Sequence, residues 1–326
     1  MAVDVLFFCQ RWNEPVGPGA ACMAYAGLLQ SMGCTCAAVD NIRTPDAAAA
    51  ALDRHRPRLV LGGLQYALRH LMAVLDRYPD TAFAVRTTSH WAAALTYHEI
   101  PIQHDWMREV AARPNCWMLA NSPEMSADLA DCGRVLPFWN VYPLPQRRAE
   151  IRFPLCPLRI ATVGRNDWTK SYPALALALR SVAARRRDAT FHTWMRADGK
   201  FTAGFGIVPG WCAQPMTSNC VELREAILAQ RINLCVQISL TETFCFAAAD
   251  FLSLGIPVVG SRAITYIPPA WQVADESDPR EVAAAVHRVA ALDGDAVRAG
   301  ISVYRRDQAA RRRRMRRVFR ALLGAA

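Results

Sequence analysis

The chain has 326 residues, long for one core and typical of two. Its 52% hydrophobic and 20% charged content excludes a disordered chain, and no run reaches the ~18 uninterrupted apolar residues of a membrane-spanning helix. The net charge of +10 is nearly all arginine, with lysine only at 170 and 200; it admits an anionic partner (nucleotide, nucleic acid or anionic membrane) without choosing among them.

The N-terminus "MAVDVLFFCQRW" carries an acid at position 4 and lacks the basic start of a signal peptide. The eleven cysteines are odd in number and form no CxxC pair, so they are expected as small buried hydrophobes with neither disulfides nor zinc. A cytoplasmic protein is expected.

In chain order, "VDVLFFC" is an apolar strand, followed by a loop with two glycines and the helical "AACMAYAGLLQSMG", stopping at Gly33. "CTCAAVD", "PRLVLGG" and "TAFAVRTTS" are further strands, the last two separated by helical "LQYALRHLMAVLDRYP". "NCWMLANS" is another strand, with a helix "PEMSADLADCG" after it. Such alternation predicts a parallel sheet covered on both faces. From about 136 to 158 five prolines interrupt it, the signature of a stiff linker. The pattern then resumes with strand "LRIATVG", a helix from Pro173 to about Arg187, strand "ATFHTWM", a loop-rich insert, helix "CVELREAILAQ" and strand "INLCVQIS". A helix "TETFCFAAADFLSL" stopping at Gly255, strand "IPVVGS", helix "PREVAAAVHRVAAL" and a long basic helix complete it. The architecture expected is α/β, two Rossmann-like domains with parallel sheets, 1–150 and 151–304, followed by a helix over 305–326.

In open parallel sheets, ligands gather at the carboxyl ends of strands, and four groups fall there. Gly17 and Gly19, after the first strand, would let backbone amides approach a phosphate; the same Gly-Pro-Gly serves equally as a tight turn. His90 ends the strand "TAFAVRTTSH", a place for a catalytic histidine and also for a structural one. Arg165 and Lys170 in "VGRNDWTKS" put two cations at one strand end, suited to a diphosphate leaving group, or to solvent. Finally, "SLTETFCFAAADFLSLGIPVVGS" keeps Glu242 and Asp250 inside an otherwise apolar run. With Glu242 at the helix start, Asp250 lies ~12 Å along, about the span from the sugar to the ribose of a nucleotide sugar. The amides of 243 to 245, hence Thr243 and Phe244, could hold the diphosphate between them. A buried carboxylate without partners is too costly to keep, so Asp250 is expected either wet or bonded.

This last block resembles the E-x7-E segment of retaining GT-B glycosyltransferases of family four; "VGRNDWTKS" is similar to their G-R-K-G segment, and "LANSPEMSADLADCGRVLPFWNVY" to the entry to the interdomain linker. The resemblance implies a GT-B fold, its two sheets facing across a cleft, with the helix over 305–326 returning to pack on the first domain. It implies sugar transfer with retention from a nucleotide diphosphate sugar, UDP-sugar foremost, to an acceptor hydroxyl, with no metal and no other cofactor. Glu242 would contact sugar hydroxyls and Asp250 the ribose; Arg165, Lys170 and the Gly17–Gly19 loop would hold the diphosphate; His90 would sit beside the transferred sugar. Three positions depart from the pattern: Asp250 stands for Glu, Ser171 for the glycine after the lysine, and Asn140-Val141 for Asn-Gly.

The resemblance also implies that the first domain chooses the acceptor, with Asn13 and Trp91 as candidate contacts. In the basic tail, Met315, Val318, Phe319, Leu322 and Leu323 fall on one helical side; Arg313, Arg316, Arg317 and Arg320 fall on the other, toward solvent, DNA backbone or lipid head groups. A hydroxymethylated DNA base and a glycan or lipid are both admissible acceptors, which would place the protein on DNA or peripherally at a membrane. The rival functions are a non-catalytic GT-B module binding nucleic acid or a partner through the tail, and a sugar-nucleotide epimerase.

Overall fold

The computed structural model describes residues 2–9, 18–40, 42–63, 67–86, 105, 108–110, 112–121, 126–127, 129–130, 133–142, 148–164, 168–195, 202–215, 220–242 and 244–324. The chain divides into two compact units, Met1–Pro143 with Gln308–Ala326, and Leu144–Asp307.

The first unit is built on six parallel strands, β1 (Val5–Cys9), β2 (Cys36–Asp40), β3 (Leu59–Gly63), β4 (Ala82–Arg86), β5 (Cys116–Ala120) and β6 (Val135–Pro137), in the order β2-β1-β3-β4-β5-β6. β1 and β4 are buried at every position, as the unbroken runs "VLFFC" and "AFAVR" require of strands covered on both faces. On one face Leu6, Phe8, Val60, Phe83, Val85 and Met118 pack against α2 (Pro45–His55) and α3 (Ala67–Met72) through Ala48, Leu52 and Leu71. Helix α2 starts where it does because the Thr44 hydroxyl accepts from the Ala47 amide at 3.1 Å with Pro45 at the first turn. α1 (Pro18–Gln30) brings Tyr25 against Phe138, ring centroids 4.7 Å apart. β6 lies in the proline-rich stretch read as linker; three residues ending on proline are too short to show a strand's alternation.

The second unit carries β7 (Arg159–Gly164), β8 (Thr190–Met195), β9 (Trp211–Gln214), β10 (Leu234–Gln237) and β11 (Val258–Gly260), parallel in the order β11-β10-β7-β8-β9. Its helices are α4 (Tyr172–Arg185), α5 (Cys220–Ala229), α6 (Phe246–Leu254) and α7 (Pro279–Ala290). β9 falls in the stretch expected as an insert: it is an edge strand with Cys212 and Ala213 exposed, so it never needed an apolar run.

The last helix, α8, spans Gly294–Gly324. Its Gln308–Gly324 portion belongs to the first unit, where Met315, Phe319, Leu322 and Leu323 are buried and Phe319 meets Phe138 at 5.6 Å and Tyr25 at 6.1 Å. Arg58 donates to the Leu323 carbonyl at 2.7 Å and Arg312 to that of Tyr142 at 2.8 Å, serving carbonyls that helix end and loop leave open. Arg313, Arg316, Arg317 and Arg320 are exposed. No helix among the described residues is long and apolar enough to cross a membrane.

Candidate active site at the crevice of the second sheet

In the second sheet the chain runs outward from β7 to β8 and β9, then returns to lay β10 and β11 on the other side of β7. The β7/β10 junction is therefore the point where strand order reverses and the loops part to leave a crevice. The two strands pair in register only at Leu234↔Ile160 and Cys235↔Ala161. Beyond that the Gln237 side chain stands in for the missing ladder: its Nε2 donates to the Val163 carbonyl at 2.6 Å, and its Oε1 accepts from the Val163 amide at 3.4 Å. A buried amide so placed satisfies backbone groups that the diverging strands would otherwise orphan.

Lys170 and Glu242 meet at this junction. Lys170 closes a short 3-10 turn, Trp168–Lys170, after β7; Glu242 lies on the loop after β10. The Lys170 Nζ is in ion-pair contact with Glu242 Oε1, and it donates to Ser239 Oγ at 3.1 Å. Ser239 in turn donates to Glu242 Oε1 at 3.0 Å. Backbone bonds lock the frame: the Leu240 amide donates to the Thr169 carbonyl at 2.8 Å, and that of Ser239 to Ser261 Oγ, at the end of β11, at 3.1 Å. Loops from three adjacent strands thus converge on one cation and one carboxylate whose side chains remain 12% and 13% exposed. Burial, followed by the Glu242 charge, pushes the neighbouring Cys245 thiol up to about 12, so that thiol stays neutral.

Gly164, the last residue of β7, is required by close approach: a Cβ there would stand 2.7 Å from the Tyr172 hydroxyl. Tyr172 opens α4 and is 2% exposed, so the tyrosine has little freedom to retreat.

The helix carrying Asp250 begins at Phe246, not at Thr241 as expected, and this moves Glu242 off its first turn. The physical reason is the Lys170–Ser239–Glu242 cluster, which holds 239–242 as a loop, with Cys245 extended at φ −80°, ψ 93° as the residue before the helix. The two acids are therefore not spaced by one continuous helix. Asp250 is bonded: it is 3% exposed and faces Arg224 of α5, Nε to Oδ1 3.8 Å. Arg224 is a partner that reading the sequence did not single out, being one of many arginines on a helix 26 residues upstream. The Phe244 ring is buried in an aromatic cluster with Phe246 and Tyr266, centroids 4.8 and 4.9 Å away. Gly19 is buried in the first turn of α1, in the first unit. Asn13, Gly17, His90, Trp91, Arg165 and Thr243 lie outside the described residues. Among the described residues no group of three or more His, Cys, Asp and Glu side chains comes together as a metal site would need.

No protein-family model matches the sequence, and no curated protein matches it. Solved structures do match in three dimensions. A sucrose-phosphate synthase from Thermosynechococcus elongatus aligns with a TM-score of 0.75 at 13% identity, over 99% of each chain. The E. coli trehalose-6-phosphate structure bound with UDP-2-fluoro glucose aligns at 0.69 and 10% identity, over 98% of each. The chain has the GT-B fold. An alpha,alpha-trehalose-phosphate synthase (UDP-forming) from Burkholderia vietnamiensis aligns at 0.64 and 11% identity, over 93% of this chain and 80% of that one. Within the GT-B fold of this chain, the Lys170–Glu242 pair occupies the switch point of the second sheet.

Proposed function

We propose that this chain is a glycosyltransferase that moves a sugar from a nucleotide diphosphate sugar, UDP-sugar foremost, to an acceptor hydroxyl with retention at the anomeric carbon. The observation that carries the proposal is the Lys170–Ser239–Glu242 cluster at the β7/β10 switch point. In the reaction the bond from the anomeric carbon to the diphosphate oxygen breaks, the bond to the acceptor oxygen forms, and the proton of the acceptor hydroxyl passes to the departing diphosphate. Negative charge grows on the diphosphate as it leaves, and a fixed ammonium at the crevice stabilises that state more than the ground state. With the donor in place, Lys170 exchanges its ion pair with Glu242 for the diphosphate, and the carboxylate accepts hydrogen bonds from sugar hydroxyls. Arg165, Thr243 and the Phe244 backbone are assigned to the diphosphate as well. Asp250 is assigned to the ribose, through Arg224 or in exchange for it.

The first unit is assigned to the acceptor, with Asn13 and Trp91 as candidate contacts, while Gly17 and Gly19 are assigned to the diphosphate and His90 to the transferred sugar. The names of the similar proteins, a sucrose-phosphate and a trehalose-phosphate synthase, support a carbohydrate acceptor over a DNA base. The test is a panel of nucleotide sugars read by thermal shift and slow donor hydrolysis, then mass measurement of glycan, lipid and hydroxymethylated DNA acceptors. A UDP-sugar that stabilises the protein and yields a glycosylated product is the expected outcome. No response to any donor would sink the reading; conversion of a donor to its epimeric nucleotide sugar without any acceptor would convert it to an epimerase.

A further inference from the structure

At the carboxyl edge of the first sheet, β4 ends on Arg86, which is 4% exposed. Its register neighbour on β3 is Gly63. The guanidinium runs toward α1, where Nη2 donates to Cys22 Sγ at 3.8 Å and Cζ stands 5.5 Å from the Tyr25 ring centroid. The Tyr25 hydroxyl donates to Asn140 Oδ1 at 2.7 Å, and its oxygen is also a hydrogen-bond partner of the Arg86 guanidinium. Arg86 Nη1 is buried with no hydrogen-bond partner, and among the described residues no carboxylate pairs with this charge. Arg311, 9% exposed, is a second cation near Tyr25 and offers Arg86 no counter-charge.

A guanidinium out of water without a counter-charge is strongly unfavourable, and a fold keeps one where something compensates it. The resident candidate is Cys22, whose thiol is held below its usual range by the hydrogen bond from Cys9 and then by the Arg86 charge, against the opposing effect of burial. The sulfur and the phenol oxygen are both neutral or weak acceptors, and Nη1 stays unmet. An oxyanion meets both arms of the planar fork.

We propose that the first unit binds an oxyanion, a phosphate or carboxylate, on the Arg86 guanidinium at the carboxyl edge of β4. On the assignment of the first unit to the acceptor, on which this step rests, the oxyanion belongs to the acceptor, which is then a phosphorylated or acidic sugar. A free inorganic anion is the other source of the same chemistry.

The experiment is a set of thermal melts in low-salt buffer with inorganic phosphate, glucose 6-phosphate, glucuronate or glucose. The variants are Lys170→Met, Arg86→Met and Cys22→Ser. Lys170→Met removes the cation that would draw phosphate to the second unit. Phosphate is expected to raise the melting temperature of the wild type, Lys170→Met and Cys22→Ser by several degrees, and to leave Arg86→Met unchanged. A larger shift with glucose 6-phosphate or glucuronate than with phosphate, and none with glucose, assigns the site to an acceptor; equal shifts with phosphate and glucose 6-phosphate assign it to a free anion. Should Arg86→Met not fold, Arg86→Lys keeps the charge and loses the fork, and is expected to weaken the phosphate response at least tenfold in midpoint concentration. A phosphate shift absent from Lys170→Met, undiminished in the Arg86 variants, or seen only in Cys22→Ser overturns the proposal; the last result makes the Cys22 thiolate the resident counter-ion. None of these melts reads donor turnover, so failure here leaves the assignment of Lys170 and Glu242 standing, and loss of donor binding leaves the Arg86 site standing.

Discussion

The two sheets end in opposite electrostatic states. At the carboxyl edge of the second, the Lys170 charge is met by Glu242 and by Ser239, and all three loops around it are bonded to one another. At the carboxyl edge of the first, Arg86 is more deeply buried and is met among the described residues by the Cys22 thiol and by Tyr25, with no acid. The contrast teaches how a charged site can stand ready. A partly exposed cation with its own acid can trade that partner for a ligand at little cost, because the carboxylate finds new donors on the same ligand. A buried cation with no acid depends on the ligand itself.

The largest effect expected from breaking this contrast is at the paired edge. Lys170→Ala or Glu242→Ala should lower transfer by about two orders of magnitude or more, measured as kcat/KM with a UDP-sugar donor. Each single change also strands the other charge, at a cost of about 2 kcal/mol, less than the ~3–5 kcal/mol of a fully buried pair because both side chains keep some exposure. The double variant Lys170→Met/Glu242→Gln should recover most of that stability in urea melts and none of the activity. Near-normal turnover in both singles would remove the cluster from the chemistry.

Next in size is the close approach at Gly164. Gly164→Ala should destabilise the protein by about 1–3 kcal/mol, since the added methyl meets the Tyr172 hydroxyl. Adding Tyr172→Phe removes the opposing oxygen, and the next ring atom is 4.0 Å away, so the double variant should melt within a degree or two of Tyr172→Phe alone. If the second change gives no rescue, the restriction at β7 lies elsewhere. A smaller change is expected at Asp250→Asn, which leaves Arg224 facing a neutral amide. It should cost about 1–2 kcal/mol and weaken donor affinity severalfold with little change in kcat; an unchanged donor Kd would detach Asp250 from the ribose.

The smallest effect is in the pH dependence. Burial, and then the Arg159 charge, holds His192 below the ordinary histidine value of about 6.5. The unfolded chain therefore binds that proton first, so His192 lowers stability as pH falls through about 6.5 and contributes no penalty above it. His192→Gln should flatten the loss of stability between pH 7 and pH 5, as read by denaturant midpoints; an unaltered slope would assign the loss to other groups.

Both parallel sheets were legible because strands covered on two faces write themselves as unbroken apolar runs, as in "VLFFC", "AFAVR" and "INLCV". β9 and β6 were not, since an exposed edge strand and a three-residue strand carry no such run. Within the candidate site, Lys170 drew notice through the rarity of lysine, and Glu242 as an acid in an apolar segment. Their contact spans 72 residues of sequence, and no local pattern encodes it. The start of α6 was misplaced because the side-chain bonds that hold 239–242 as a loop come from other elements. Arg86 carries no signal in the sequence, because a charge at the end of a strand usually marks the return to solvent; only its burial shows otherwise.

The placement of the last helix has a consequence for synthesis on the ribosome. Phe319 covers Tyr25 and Phe138, so the earlier part of the first unit emerges with that aromatic patch bare. The ~165 residues between its two segments take on the order of 10–30 s to translate at typical elongation rates. During that interval the nascent chain presents a sticky, unfinished lobe, a natural place for a chaperone to engage.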